Sequence, residues 1–218
     1  MTSVPRPPIS RLLPLLAIAA CAPAGGERTL IPSLATAADA GAWEFHDPDS
    51  WSVEDGSLRL HTPGIPRGPI RKPAGWAILH SDAFGDAVID AQVRADAPVT
   101  RMGRDILIYF GYQSPTRFYY AHLSNETTPP HNGIFLVNDA DRLRIDDARG
   151  IPKLMDDRWH DVRLERDSET GTIRVYLDDM TTPVLQASDT TLRSGRIGFG
   201  SFDDPASFRA IEVRSSTQ

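Results

Sequence analysis

After residue 42 no stretch of this chain repeats an apolar residue every 3.6 positions for three turns. Short runs that alternate apolar with polar residues recur instead, bounded by Gly, Pro, Asn and Asp. A strand buries every second side chain and a helix buries a stripe, so this patterning argues against helical bundles and βαβ units. Strands are expected at 57–61, 77–80, 87–95, 105–112, 118–125, 133–138 and 142–145. Further ones are expected at 160–166, 172–178, 195–201 and 208–214. About eleven strands in that length suit an all-β, two-sheet antiparallel jelly-roll sandwich; a small closed barrel needs fewer and longer ones.

The alternation also assigns faces. In 87–95, Ile89, Ala91 and Val93 point to the core, with Val88, Asp90, Gln92 and Arg94 opposite. In 118–125, Tyr119, Ala121 and Leu123 point inward, so Phe118, Tyr120, His122 and Ser124 share the outer face. The run 105–112 is ambiguous because Ile106, Ile108, Phe110 and Tyr112 are all apolar. Placing them inside leaves Asp105, Leu107, Tyr109, Gly111 and Gln113 outside, where Asp, Gln, Arg, Tyr and His side by side make the floor of a groove.

The N-terminus has a different character. Arg6 and Arg11 precede the apolar segment 12–20, which is too short to span a bilayer and reads as a signal peptide over 1–20. The ending Ile18-Ala19-Ala20-Cys21 resembles the lipobox of bacterial lipoproteins, making Cys21 the lipidated first residue. Cleavage at Ala17-Ile18-Ala19 is the alternative, and either exports the chain. Lipidation would anchor it to the cell envelope, and Ala22 in place of aspartate directs it to the outer membrane in a Gram-negative cell. Residues 21–42, rich in Ala, Pro, Gly and Ser, read as a tether, which leaves 43–218 as the folded domain. Cys21 is the single cysteine, so no internal disulfide exists, and a net charge of −6 argues against a nucleic-acid partner.

Several segments resemble the concanavalin A-like lectin/glucanase superfamily: Trp51-Ser-Val-Glu-Asp-Gly-Ser-Leu-Arg-Leu60, Phe84-Gly-Asp-Ala-Val-Ile-Asp, Trp159-His-Asp-Val-Arg-Leu-Glu-Arg, Gly171-Thr-Ile-Arg-Val-Tyr-Leu-Asp-Asp and Gly195-Arg-Ile-Gly-Phe-Gly-Ser-Phe-Asp-Asp. The likeness extends over 43–214. It is most similar to exported bacterial proteins of the family-sixteen-like glycoside hydrolase or 3-keto-disaccharide hydrolase type. The resemblance implies a carbohydrate partner and often a structural calcium ion. One departure matters: no Glu-x-Asp-x-x-Glu stands on any strand, so no pair of carboxyls about 5 Å apart can be named for a retaining mechanism.

Tyr120 and His122 share a strand face, and an imidazole beside a phenol can move a proton. Asp105 can orient the His122 ring as a carboxylate fixes an imidazole tautomer, or cap the turn at the start of its strand. Arg104, Arg117 or Arg142 would neutralise an oxyanion or a carboxylate. Arg94, Tyr109, Gln113, His131 and Asn132 complete the ligand-binding set, with Trp76 at the groove rim. The same residues serve equally as a non-catalytic floor on which rings stack against sugars, or as outward positions with no ligand. No cofactor is required. Calcium takes six to eight oxygens, and Asp47, Asp49, Asp203 and Asp204 are its candidate donors. His46, His61, His80 and His160 show no ligand spacing, and Gly195, Gly198 and Gly200 mark close backbone approach in a strand.

Overall fold

A computed structural model describes residues 26–146 and 154–216. Cys21 and the leader lie outside the described residues. Fifteen strands are present: β1 (Glu27–Leu30), β2 (Trp43–Phe45), β3 (Trp51–Glu54), β4 (Ser57–Leu60), β5 (Gly75–Leu79), β6 (Ala87–Ala95), β7 (Asp105–Ser114) and β8 (Arg117–Ser124). They continue with β9 (Gly133–Asn138), β10 (Leu143–Arg144), β11 (His160–Arg166), β12 (Thr172–Leu177), β13 (Leu185–Ser188), β14 (Arg196–Ser201) and β15 (Ala206–Ser216). One sheet runs β13-β12-β11-β6-β15-β4-β3, with β1 also on β15. The other runs β10-β9-β8-β7-β14-β5-β2. All these pairings are antiparallel.

The alternation reads through to the core. Ile89, Ala91 and Val93 of β6 meet Ile106, Ile108 and Phe110 of β7 and Tyr119, Ala121 and Leu123 of β8 in one buried cluster between the sheets. Four short strands escape the sequence reading. β2 and β3 follow 3₁₀ turns (Ala37–Ala42 and Pro48–Ser50), and β13 is a four-residue edge.

The fourth, β1, corrects the tether. β15 is 11 residues long, but β4 pairs only with Ala206–Phe208, so the far half of that edge would leave its backbone groups unpaired. Glu27–Leu30 pairs with Val213–Ser216 and completes it. From Glu27 onward, the segment expected to be a linker is therefore part of the sandwich.

A second correction lies in β7. Gly111 has φ +57° and the β7–β8 register shifts between Phe110 and Ser114. The bulge puts Tyr112, not Gln113, on the outer face with Leu107 and Tyr109. The glycines of β14 behave as expected: a Cβ on Gly200 would overlap the Gly75 carbonyl oxygen, and one on Gly198 the Ala77 carbonyl oxygen.

Candidate functional site

The outer face of the seven-stranded sheet carries a second buried cluster: Trp76, Ile78, Leu107, Tyr109, Tyr112, Phe118, Tyr120, Phe135 and Val137. Register explains the row. Tyr109 stands opposite Tyr120, which stands opposite Phe135, with Gly198 flanking Tyr109 on the other side. Their rings touch: Tyr120 stacks on Phe135 at 5.1 Å, and Tyr109 contacts Phe118 at 5.4 Å. An outer sheet face usually meets water. This one is roofed.

The roof is the Gly/Pro-rich strap, residues 62–74, which lies against the 139–142 turn. Arg142 N–H donates to the Arg71 carbonyl at 3.0 Å, and Arg71 N–H donates to Asp141 Oδ1 at 2.7 Å. At the other side His46 Nε2 contacts the Ile65 carbonyl at 3.1 Å. Ile70 and Phe202 pack down on the rings. The Arg142 guanidinium lies between Phe135 (4.8 Å) and Phe202 (4.5 Å) and donates to the Tyr120 hydroxyl at 3.0 Å.

At one end of this face sits a buried carboxylate–imidazole pair. His122 Nε2 donates to Asp105 Oδ2 at 2.8 Å, and Ser201 Oγ and Phe202 N–H donate to Asp105 Oδ1. The pair exists because β7 and β8 set Asp105 opposite Ser124 and Leu107 opposite His122, so the two side chains converge diagonally on one face. His122 is 1% exposed, yet its ring lies on the outer face under Phe202, not between the sheets. Its Nδ1 has no partner, and His131 packs edge-on at 5.5 Å. His131 in turn meets Thr128 Oγ1 at 2.7 Å and Glu126 at 3.6 Å. Burial, then the nearby His122, lowers the His131 pKa.

Four polar atoms on this face are buried without a partner among the described residues: Tyr109 Oη, Tyr112 Oη, Trp76 Nε1 and His122 Nδ1. Buried polar groups are nearly always paired, so four together single out this face. Burial pushes the phenols of Tyr109, Tyr112 and Tyr120 upward. Tyr120 is thereby a poor base, and it bonds Arg142 instead of His122.

Other expected site residues stand elsewhere. Arg94 lies on the outer face of the opposite sheet, paired with Asp96 at 2.5 Å and packed on Trp159. Arg104 is fully buried and spends its guanidinium on the Ala95 and Asp156 carbonyls. Gln113 and Arg117 bond each other at 3.3 Å beyond the bulge, and Arg117 pairs with Asp139. Asn132, at φ +47°, closes the β8–β9 turn by accepting from Ser124 N–H at 2.6 Å. Trp76 is on the floor, 4% exposed, and not at a rim. Tyr112, Phe135, Phe202 and the strap cations were missed; only the alternation of Phe135 with Val137 in β9 signalled any of them.

A cavity of about 470 Å³ opens on the other sheet, but its walls hold no aromatic ring. Its Arg174 and Arg214 are already engaged by Glu165 and Asp90.

No family model matches the sequence, and no curated protein matches it. Solved structures do. The chain is similar to carbohydrate-binding module CBM66 from Bacillus subtilis, with a TM-score of 0.59 and 16% identity over 78% of this chain and 94% of that one. It is similar to the VIP36 exoplasmic/lumenal domain in its Ca²⁺/Man3GlcNAc-bound form, with a TM-score of 0.57 and 13% identity over 87% and 88%. Lectin I-B4 from Griffonia simplicifolia, in a metal-free form, gives a TM-score of 0.51 at 12% identity over 88% and 100%. The fold is the concanavalin A-like sandwich.

Within this concanavalin A-like sandwich the metal expectation changes membership. Asp105, Asp203 and Asp204 each bring one carboxylate oxygen within 4.8 Å of the others. Asp47 is not among them; it accepts from Ser50 Oγ at 3.0 Å in the turn before β3. Asp204 is 2% exposed, its Oδ2 lacks a partner, and burial with the adjacent Asp105 charge raises its pKa to about 6. Arg101 already bonds Asp204 Oδ1 and stands 3.7 Å from Asp203. Three carboxylates supply about half of what calcium takes, and Arg101 on Asp204 with the donors of His122, Ser201 and Phe202 on Asp105 already occupy part of that set.

Proposed function

We propose that this chain is a carbohydrate-binding protein of the cell envelope. Residues 1–20 export it, Cys21 carries its lipid, and the sandwich receives a saccharide on the outer face of the seven-stranded sheet when the strap is displaced. The observation that carries this is the floor itself: contiguous rings with the unpaired polar tips Tyr109 Oη, Tyr112 Oη and Trp76 Nε1. Rings offer flat apolar surface to a pyranose face, and unpaired donors await its hydroxyls. The similarity to a carbohydrate-binding module, a lectin and a Man3GlcNAc-bound VIP36 domain supports the same reading.

A glycan array followed by calorimetric titration tests it. Wild type should retain at least one oligosaccharide class, and the Tyr109→Phe/Tyr112→Phe double variant should bind it about thirtyfold more weakly, since two hydroxyls each contribute about 1 kcal/mol. A protein that retains no glycan at millimolar concentration ends the reading. The anchor has its own test: cells fed a labelled fatty acid should label wild type and not Cys21→Ser.

A second reading, a sugar-active enzyme, is favoured by one observation, the His122–Asp105 pair at 2.8 Å. With Nε2–H held by the carboxylate, the neutral ring keeps a lone pair on Nδ1, the side that has no partner. Such a nitrogen can take a proton from a carbon beside a carbonyl. Incubation with keto-disaccharides and uronate polysaccharides should then give product with wild type and none with His122→Gln. Binding without product leaves the first reading alone. Calcium belongs to either reading as a structural ion on Asp105, Asp203 and Asp204: added Ca²⁺ should raise the melting temperature of wild type and leave Asp203→Asn unmoved.

A further inference from the structure

Acids outnumber bases 29 to 23 in this chain, and over most of the surface an arginine has a carboxylate to hand. Arg28 meets Asp82 at 3.0 Å, Arg117 meets Asp139 at 3.3 Å, Arg163 meets Asp90 at 2.7 Å and Arg196 meets Glu44 at 2.6 Å. Arg67, Arg71 and Lys72 make no ion pair among the described residues. All three stand in six residues of the strap, and Lys72 is only 4% exposed.

Their position over the floor is fixed from both sides. His46, held at the Ile65 carbonyl two residues before Arg67, packs its ring edge-on against Trp76 at 5.4 Å. Arg71 is tied by its backbone to Arg142 and its charge is felt at the Tyr120 phenol. Of the nearby acids Glu44 is paired with Arg196, while Asp47 and Asp141 accept from the neutral Ser50 hydroxyl and Arg71 backbone N–H and keep their charge. Below the strap, Tyr109, Tyr112 and Trp76 add three unpaired hydrogen-bond donors. Among the described residues Arg67, Arg71, Lys72 and Arg142 stand against the two carboxylates without a cation partner, Asp47 and Asp141, so the roof keeps a net positive charge, and with the donors below it that is the complement of an anionic oxygen.

We propose that the ligand is an acidic saccharide, whose carboxylate or sulfate groups are received by Lys72, Arg67 and Arg71 above the aromatic floor. This rests on the saccharide reading above and narrows it to a chemical class.

The experiment titrates the protein calorimetrically with matched oligosaccharides of one backbone: neutral, uronate and sulfated. The uronate or the sulfated member should bind at least tenfold more tightly than the neutral one, and whichever does so names the anion. That preference should shrink severalfold when salt rises from about 50 to about 300 mM, because the recognition is partly a screened charge interaction. Lys72→Met and Arg71→Gln should each lower the ratio of acidic to neutral affinity fivefold or more; circular dichroism confirms that both variants fold. Equal binding of all three members with unaffected variants overturns the charge assignment and spares the saccharide reading. Retention of none of them overturns both.

Discussion

Lys72 is one of two lysines in the chain and the most informative residue to change. The residue is 4% exposed with no carboxylate beside it among the described residues, and burial, then the like charge of Arg67, lowers its pKa. A group whose folded pKa lies below the unfolded one binds its proton less readily in the fold. Holding it charged at neutral pH therefore opposes folding, and stability rises with pH up to the unfolded value near 10.5. Lys72→Met keeps the length of the stem and removes the charge. Deleting a partly desolvated charge that has no carboxylate partner should stabilise the free protein by up to about 1 kcal/mol, or about 2–4 °C in melting temperature for a domain this size. The assay is urea unfolding of wild type and variant across pH 7 to 10. The variant's advantage should be largest at pH 7 and close as the wild-type ammonium loses its proton. A variant less stable than wild type, or a gap that ignores pH, would show that the ammonium is satisfied in the fold and would remove the reason for seeking its anion outside.

Three further outcomes follow from the same geometry. Gly200→Ala, whose Cβ would overlap the Gly75 carbonyl, should cost about 3 kcal/mol or prevent folding, whereas Gly41→Ala, with nothing within 4 Å, should shift the urea midpoint little. Tyr112→Phe removes a buried hydroxyl without a partner and should raise free-protein stability by up to about 1 kcal/mol in the same unfolding assay. His46 has its pKa lowered first by burial and also by Arg67 and Lys72, so the unfolded chain takes up the proton first as pH falls below 6.5. Wild type should lose stability between pH 7.5 and 5, and His46→Gln should flatten that slope; an unchanged slope would show that His46 does not carry it.

Much of the sandwich is legible because its signal is local. In β6, β8 and β11 the inward residues alternate with outward ones, and both the boundaries and the faces follow from that period. What escapes is set by partners distant in sequence. Nothing in Glu27–Leu30 announces a strand; the segment pairs because β15 outruns β4 and presents an open edge. Nor does the run 105–114 announce a bulge, since each residue from Asp105 to Tyr112 is buried on one face or the other. A positive φ at Gly111, where an added Cβ would come within 3.0 Å of Tyr119, decides which face Tyr112 takes.

The site divides the same way, and the division says what kind of site it is. Tyr120, His122 and Tyr109 were readable because a strand puts alternate residues on one face, and Asp105 joins them through register. The roof was not readable, because a Gly/Pro segment carries no period from which its path can be inferred. Yet the roof changes the meaning of the floor. An exposed row of rings would be a ready contact surface, while a buried row with unpaired hydroxyls costs about 1–3 kcal/mol for each group left unsatisfied. Phenylalanine at 109 and 112 would avoid that cost and pack as well. That the chain keeps tyrosines there, under a strap held at its ends by the hydrogen bonds of Arg71 and Ile65, makes physical sense if the strap lifts and the hydroxyls find acceptors in what enters.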